Sequence, residues 1–239
     1  MKIGSILERY LDVLLSGDRK NSRIIIEEAL QSGIPANAVY MEIIWPIMVE
    51  LEKLVTAERI SQANEHMAVR INRTIVDQLQ NKLPRRPQRN KKIAICCAPS
   101  EINELGAQIM ADLFESDGWE VKFLGGGLTS DDILGFVNRY GPDVLLIYGT
   151  NGKQVPEIRN LICTVRSVNA WPDMRIMVSG GVFNRAEGLW ERIEADLFSA
   201  TAQEALQVAL GDSRPEPDEQ ASAGRQRKRR RKTTETAVS

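Results

Sequence analysis

Apolar residues in the first third of the chain recur every three or four positions, which is the spacing of amphipathic helices. One such stretch closes at Gly17, and Asp18 can cap a second helix. A third helix begins near Pro35, and a fourth follows Ser61. Because the connections between these helices are short, residues 1–83 predict a small antiparallel four-helix bundle.

From Lys92 onward the pattern changes, and short apolar runs alternate with helical stretches. The runs predict strands at 93–97, 120–124, 144–148, 175–178 and 196–198. Helices are predicted at 104–116, 129–140, 155–168, 185–193 and 201–210. This alternation predicts an α/β fold with a five-stranded, doubly wound parallel sheet, most simply in the flavodoxin-like order 2-1-3-4-5.

The predicted strand order also locates a binding site. In an open parallel sheet, ligands bind outside the carboxyl ends of the strands, at the point where the strand order reverses. Here that point falls between the first and third strands, so residues 98–103 and 148–153 are predicted to line a crevice. The position of the site therefore follows from the predicted topology before any motif is considered.

Charge is distributed unevenly, although the net charge of the chain is only −1. Six basic residues and no acidic residue lie between positions 82 and 92, and residues 213–239 carry a net charge of +4. Two prolines favour a basic linker at 84–91, which separates the helical bundle from an α/β domain at 92–212. The last segment, 213–239, lacks the apolar residues that form a core and is predicted to be a disordered basic tail.

Composition excludes several classes of protein. No apolar run approaches the ~20 residues of a membrane span, and the N-terminus lacks the layout of a signal peptide, so we expect a cytoplasmic protein. Cys96, Cys97 and Cys163 lack the spacing of a zinc site and are predicted to be buried. His66 is the only histidine of the chain, which limits every metal site. The predicted crevice carries no Ser/His/Asp set, so we expect no catalysis by the chain itself.

Three short motifs follow strands of the predicted sheet at regular distances. Residues 101–106 read Glu-x-Asn-x-x-Gly, residues 148–150 read Tyr-Gly-Thr after 41 intervening residues, and a Gly-Gly pair follows after another 29. Together with the helical cap, this arrangement resembles the cobalamin-binding modules of methionine synthase, corrinoid carrier proteins and B12-dependent light-sensing regulators. The resemblance covers about residues 1–212. In that family the motifs read Asp-x-His-x-x-Gly, Ser-x-Leu and Gly-Gly.

The resemblance implies which residues would contact a cofactor. In the family, the loop histidine supplies the lower cobalt ligand, and the displaced nucleotide tail threads past the glycines into the sheet. Here Asn103 replaces that histidine with a weaker carboxamide ligand, and Tyr148 replaces a small residue where the tail would be buried. The residues assigned to the cofactor site in this way are Glu101, Asn103, Gly106, Gly125, Gly126, Tyr148, Thr150, Gly180 and Gly181.

Two residues of the cap also match the family. Glu65 and His66 resemble the Glu-His pair that faces the upper side of the corrin in light-sensing members, although Val55 stands where those sensors have a tryptophan. Each assignment has a plainer alternative. Asn103 is also a good helix N-cap, the glycines also suit tight turns, and His66 is also typical of an exposed position. The two glutamates at 101 and 104 also suit the first turn of a helix.

We therefore expect a non-catalytic regulatory or sensory module that binds a corrinoid or related tetrapyrrole without the usual lower histidine and signals through a regulatory protein partner. The alternatives are a corrinoid carrier for methyl transfer and a cofactor-free scaffold of the same fold. Cobalamin is the expected cofactor, and haem with His66 as its axial metal ligand is the alternative. A homo-oligomer remains open.

The basic tail is a candidate contact for nucleic acid or another anionic surface, because clustered basic residues gain binding free energy by releasing counterions. The residues concerned are Arg227, Lys228, Arg229, Arg230, Arg231 and Lys232. The alternative is a tail that only aids solubility.

Overall fold

Helices account for most of the first 82 residues in the computed structural model, which describes residues 3–211. They are α1 (Ile3–Leu15), α2 (Arg19–Gln31), α3 (Ala36–Ala38), a π-helical turn (Val39–Ile44), α4 (Trp45–Thr56), α5 (Gln62–Leu79) and a 3₁₀ turn (Gln80–Lys82). Asp18 and Ser61 cap α2 and α5 by accepting hydrogen bonds from the backbone N–H groups of Asn21 and Asn64. The predicted helical bundle and the Asp18 cap are confirmed, and the fourth helix begins directly after Ser61, as predicted.

The third predicted helix contains a feature that periodicity did not reveal. α3, the π-helical turn and α4 follow one another without a break, and the turn inserts one extra residue into the helical repeat. Tyr40 lies in this turn and is completely buried. Its hydroxyl reaches beyond the cap, to a residue of the α/β domain 72 positions along the chain.

The second half of the chain forms a five-stranded parallel sheet in the order 2-1-3-4-5, which confirms the predicted fold class. Its strands are β1 (Lys92–Cys97), β2 (Glu120–Gly125), β3 (Val144–Tyr148), β4 (Arg175–Ser179) and β5 (Leu197–Ser199). Each predicted strand is present, with its ends moved by one residue at most. β1 and β3 are buried along nearly their whole length, as expected for central strands of a sheet covered on both faces.

Helices cover both faces of the sheet. They are α6 (Leu105–Ser116), α7 (Ser130–Tyr140), α8 (Val155–Val168), α9 (Gly181–Arg185), α10 (Leu189–Arg192) and α11 (Ala202–Leu210), with a 3₁₀ turn (Gly152–Gln154) before α8. The single helix predicted at 185–193 is wrong: α9 ends at Arg185, and α10 starts only after Gly188, whose φ of 68° is left-handed.

The cap and the sheet share one hydrophobic core. Alternate residues of β1 and β3 pack with α6, α11 and the buried residues of the cap, while the opposite face of the sheet packs with α7 and α8. Cys96 and Cys97 are buried, one on each face of the sheet. The predicted burial of Cys163 is wrong: it is exposed, because it lies on the outer side of α8. No helix within residues 3–211 is long and apolar enough to cross a membrane.

Residues 84–91, predicted as a linker, lie against the turn between α6 and β2. The backbone N–H groups of Arg86 and Arg89 donate to the carbonyl oxygens of Ser116 and Gly118, each at 2.8 Å. Both arginine side chains also pair with Asp117. The basic charge of this segment is therefore partly used to fasten it to the α/β domain. The predicted basic tail, including Arg227–Lys232, lies outside the residues that the structure describes.

Candidate functional site

The predicted crevice lies where the loops after β1 and β3 meet. The backbone N–H of Ala98 donates to the carbonyl oxygen of Tyr148 at 2.8 Å, which holds the two strand ends together. Beyond them, Glu101 is only 4% exposed. Its Oε2 accepts hydrogen bonds from the backbone N–H and the hydroxyl of Thr150, at 2.8 and 2.7 Å. The carboxyl group of Glu101 thus joins the loop after β1 to the loop after β3.

Glu101 also determines the conformation of Asn103. The backbone N–H of Asn103 donates to Glu101 Oε1 at 2.8 Å, which closes a tight loop ahead of α6. The residue at the N-cap position of α6 is Glu104, not Asn103, so the alternative interpretation of Asn103 as an N-cap is wrong. The interpretation of Glu101 and Glu104 as acidic residues of a first helical turn is also wrong. α6 begins at Leu105, after both glutamates, and Glu101 is held inside the crevice.

Glu104 contacts two other parts of the chain instead of capping the helix with its side chain. Its Oε1 accepts a hydrogen bond from the backbone N–H of Gly126 at 3.0 Å, and Oε2 lies 3.7 Å from Nη2 of Arg73 on α5. The loop after β2 and the cap are therefore both attached to the loop after β1. Neither contact has a local sequence signal, because Arg73 and Gly126 are distant from Glu104 in the chain.

Tyr148 fills the space beside Gly106 at the start of α6. Its side chain is 7% exposed, and burial raises its pKa. A methyl group placed on Gly106 would lie 2.2 Å from the Tyr148 hydroxyl oxygen and 2.5 Å from Cζ, both far inside van der Waals contact. The glycine and the tyrosine ring therefore depend on each other, since only a residue without a side chain fits under the ring.

The other predicted glycines also serve close packing between loops. A methyl group on Gly126 would lie 2.6 Å from the carbonyl oxygen of Glu101, and one on Gly180 would lie 2.2 Å from that of Gly149. Gly125 and Gly180 have φ values of 70° and 109°, which disfavour other residues. These positions are thus required by the protein's own structure, whatever the crevice binds.

The cap closes over the crevice from the opposite side. Glu52 of α4 pairs with Arg185 of α9. A methyl group placed on Gly181 would lie 2.7 Å from each carboxyl oxygen of Glu52. Arg185 also donates to the carbonyl oxygen of Thr150. Sequence analysis missed both partners of this pair, because Glu52 and Arg185 are 133 positions apart and neither lies in a motif.

The two cap residues that matched the family lie on the first turns of α5. Glu65 is half-buried, and its pKa is raised by loss of water and by the nearby carboxyl groups of Glu52 and Glu101, against a lowering effect of His66. His66 is exposed. The structure therefore brings Glu65 towards the crevice and leaves His66 at the surface. Within residues 3–211, no three His, Cys, Asp or Glu side chains are grouped to hold a metal ion.

These contacts allow a test of the cofactor that the resemblance implies. The mode with a protein imidazole below the cobalt and the nucleotide tail inside the sheet does not fit, because Asn103 offers no imidazole and the Tyr148 ring occupies the space beside Gly106. The surface between the cap and the crevice presents different groups. Glu65 and Glu52 face it from the cap, and Arg185 faces it from α9 of the α/β domain. A corrin ring bound without an inserted tail would meet these groups.

The chain matches two family models and is similar to solved structures. Two family models, each described as a B12 binding domain, match residues 91–210 and 6–80. The monomethylamine corrinoid protein of Methanosarcina barkeri has a TM-score of 0.78 and 17% identity, over 89% of this chain and 100% of that chain. The methanol:cobalamin methyltransferase complex MtaBC of the same organism has a TM-score of 0.48 and 12% identity, over 87% and 79% of the two chains. A search of curated proteins found no similar sequence.

Proposed function

The chain belongs to the B12 binding domain family, and we propose that it is a non-catalytic regulatory module that holds a corrinoid between its cap and its crevice without a lower ligand from the protein. Membership of the family supports the prediction of cobalamin as the cofactor. Both family models describe a B12 binding domain. The proposal adds a particular way in which this chain holds the cofactor.

One observation carries this proposal: the Tyr148 ring is buried against Gly106. The nucleotide tail of a cobalamin is bulky and polar, and it would have to displace a buried aromatic side chain to enter the sheet. Moving a buried aromatic side chain into water forfeits about 1.5–3 kcal/mol of burial free energy, which disfavours this mode of binding. The cobalt would then keep the cofactor's own base, or water, on its lower side.

The regulatory part of the proposal rests on how the cap is attached. Glu52 and Arg73 of the cap pair with Arg185 and Glu104, which belong to two different loops of the crevice. A ligand that enters between the cap and the sheet must separate or rearrange these pairs. Both pairs are partly exposed and of modest energy, so a ligand can rearrange them at low cost while the core shared by the cap and the sheet stays packed. A change in cap position is a signal that a partner protein can read.

A corrinoid carrier for methyl transfer is the second candidate. Its support is the likeness of fold to the monomethylamine corrinoid protein, which extends over the whole of that protein. The two candidates differ in chemistry: a carrier passes a methyl group to and from a partner enzyme, whereas the regulatory module changes shape on binding. Asn103 favours the regulatory module, since a carboxamide is a weaker cobalt ligand than imidazole.

The test is a titration with hydroxocobalamin, methylcobalamin, adenosylcobalamin and cobinamide, the last of which lacks the nucleotide tail. We expect cobalamin to bind with its lower-ligand absorption bands unchanged, and cobinamide to bind within about tenfold of its affinity, since an outside tail contributes little binding free energy. Electron paramagnetic resonance of the Co(II) form with nitrogen-15-labelled protein should give the same hyperfine pattern as unlabelled protein.

Three outcomes would contradict the proposal. A hyperfine pattern that changes with nitrogen-15 labelling would show a protein ligand on the cobalt, and His66→Ala would identify it if the change then disappeared. If none of the four compounds binds, the protein is a cofactor-free scaffold. Methyl exchange with a corrinoid methyltransferase, without any change in the hydrogen exchange of the cap, would favour the carrier.

A further inference from the structure

A buried carboxyl group connects the cap to the α/β domain, away from the crevice. Asp112 of α6 is 5% exposed. Its Oδ2 lies 2.9 Å from the hydroxyl oxygen of Tyr40, in the π-helical turn of the cap, and its Oδ1 accepts a hydrogen bond from Gln80 Nε2 at 3.0 Å. One side chain therefore joins two separate segments of the cap to the first helix of the α/β domain.

The hydrogen atoms of this cluster determine the charge of Asp112. The Tyr40 hydroxyl also lies 2.8 Å from the carbonyl oxygen of Val76, which can only accept a hydrogen bond. A hydroxyl has one proton to donate, so Tyr40 can donate a full hydrogen bond either to the carbonyl oxygen of Val76 or to an ionised Asp112, but not to both. When Asp112 is protonated, it donates to Tyr40, Tyr40 donates to Val76, and all three contacts become hydrogen bonds.

The charges around Asp112 act in the same direction. Loss of water raises its pKa most, and the carboxyl groups of Asp77 on α5 and Glu115 on α6 raise it further. The hydrogen bonds from Tyr40 and Gln80 lower it, and the pKa that results is about 6. The basic residues Arg85 and Arg86 of the 84–91 segment line the same cavity as Asp112, and Arg86 is already paired with Asp117.

The cavity beside Asp112 gives its proton a path to solvent. It has a volume of about 440 Å³ and is lined by Gln80, Asp112, Arg86 and Trp119, among other residues. The indole N–H of Trp119 is buried in this region without a hydrogen-bond partner in the structure. Water from this side can therefore hydrate an ionised Asp112 and compete with its direct contacts with the cap.

We propose that Asp112 is a proton-controlled joint between the cap and the α/β domain, with the cap docked when Asp112 is protonated and loosened when it is ionised. The helices involved also reach the crevice, because α5 carries Glu65 and Arg73 and α6 begins directly after the loop after β1. Loosening of the joint thus alters the cap over the crevice. This inference does not depend on the corrinoid proposal, since it concerns only contacts within the chain.

The direction of the pH effect follows from the raised pKa. A carboxyl group whose pKa is higher in the docked state than the ordinary 3.8 binds its proton more tightly when docked. Docking is therefore strongest below about pH 4 and weakens as the pH rises through about 6, with little further change above about pH 7. Between pH 5 and pH 7 the docking equilibrium should fall about tenfold from this group alone.

The experiment follows Asp112 in the full chain and in a neutral variant. Carbon-13 NMR of the Asp112 carboxyl group should show a midpoint near 6, and hydrogen exchange of the amides around Tyr40, corrected for the intrinsic rate, should increase about tenfold from pH 5 to pH 7. Asp112→Asn keeps the shape and donor pattern of the protonated acid, so it should abolish this increase. Glu27→Gln, at an exposed position of α2 that does not act on Asp112, should retain it.

Two results would overturn the proposal. A carboxyl midpoint near 3.8 would show that Asp112 is ionised while docked. An equal pH dependence of exchange in the original chain and in Asp112→Asn would assign the effect to other groups. The NMR titration needs no variant, so the question can be answered even if Asp112→Asn fails to fold. Tyr40→Phe adds a check, since removal of the hydroxyl should lower the exchange protection at pH 5 towards its value at pH 7.

Discussion

The pairing of Gly106 with Tyr148 makes a sharp prediction about stability. Gly106 has an ordinary helical backbone conformation in the first turn of α6, so alanine at this position would normally be neutral or stabilising by about 0.5–1 kcal/mol. Here the new methyl group would lie 2.2–3.0 Å from three atoms of the Tyr148 side chain. The ring is buried and cannot swing away into solvent. We therefore expect Gly106→Ala to destabilise the protein.

The size of the effect can be worked out from these contacts. Overpacking a core costs about 1–3 kcal/mol, and the helical preference of alanine offsets up to ~1 kcal/mol of it. Gly106→Ala should therefore lower the free energy of unfolding by about 1–2 kcal/mol. In a Tyr148→Leu background the ring atoms that the new methyl group would contact are absent, so Gly106→Ala should be neutral or slightly stabilising. The coupling free energy between the two positions should be about 2 kcal/mol.

The assay is a double-mutant cycle measured by urea denaturation at one pH, with the slope of the transition checked for each variant. Gly135→Ala in α7 is the matched control. A methyl group there would meet only a side-chain nitrogen of Arg139 at 3.5 Å, which is ordinary contact, so this variant should gain stability. If Gly106→Ala behaves like Gly135→Ala, or if its effect adds to that of Tyr148→Leu within ~0.5 kcal/mol, the ring does not occupy this space and the proposed mode of cofactor binding loses its support.

Two further predictions concern the 84–91 segment and the cap, and both can be measured by thermal denaturation. Gly118→Ala should destabilise the protein by about 1–3 kcal/mol more than Gly33→Ala. Both glycines have a positive φ, but of the two only Gly118 is crowded: a methyl group there would lie 2.1 Å from the carbonyl oxygen of Pro87. Equal effects would mean that the segment is not packed against the turn. Ser61→Ala should cost about 0.5–2 kcal/mol by removing the acceptor for the Asn64 N–H, and Ser61→Asp should restore most of it; a neutral Ser61→Ala would show that this cap is not formed.

The elements of the fold were predictable because their signals are local. The helices of the cap and the strands of the sheet each have a periodicity that reflects which face is buried, and the caps Asp18 and Ser61 act on residues three positions away. The prediction failed at 185–193, where glycine at 188 interrupts a helix that hydrophobicity alone suggested. It also missed the π-helical turn around Tyr40, since one inserted residue changes the spacing too little to notice.

The candidate site was predictable in position but not in structure. Topology placed residues 98–103 and 148–153 at one crevice, and Glu101 does bond to Thr150 there. The alternative interpretation of Asn103 as an N-cap was wrong, because α6 starts at Leu105 and Glu104 is at the N-cap position. The backbone N–H of Asn103 instead donates to the buried Glu101, two positions earlier. No local pattern indicates whether a glutamate before a helix will point outward or fold back into a crevice. That choice depends on the donors of Thr150, 49 positions away.

The sequence by itself determined the architecture: a helical cap, a parallel sheet in the order 2-1-3-4-5, and the family motifs at their proper distances, because each depends on periodicity, turn residues and spacing along the chain. Only the tertiary structure decided how these parts close on one another. It brought Glu52 to Arg185, Arg73 to Glu104, and Asp112 to Tyr40. Such contacts join side chains far apart in the chain, and their formation depends on the packing of whole helices, which no short stretch of sequence encodes.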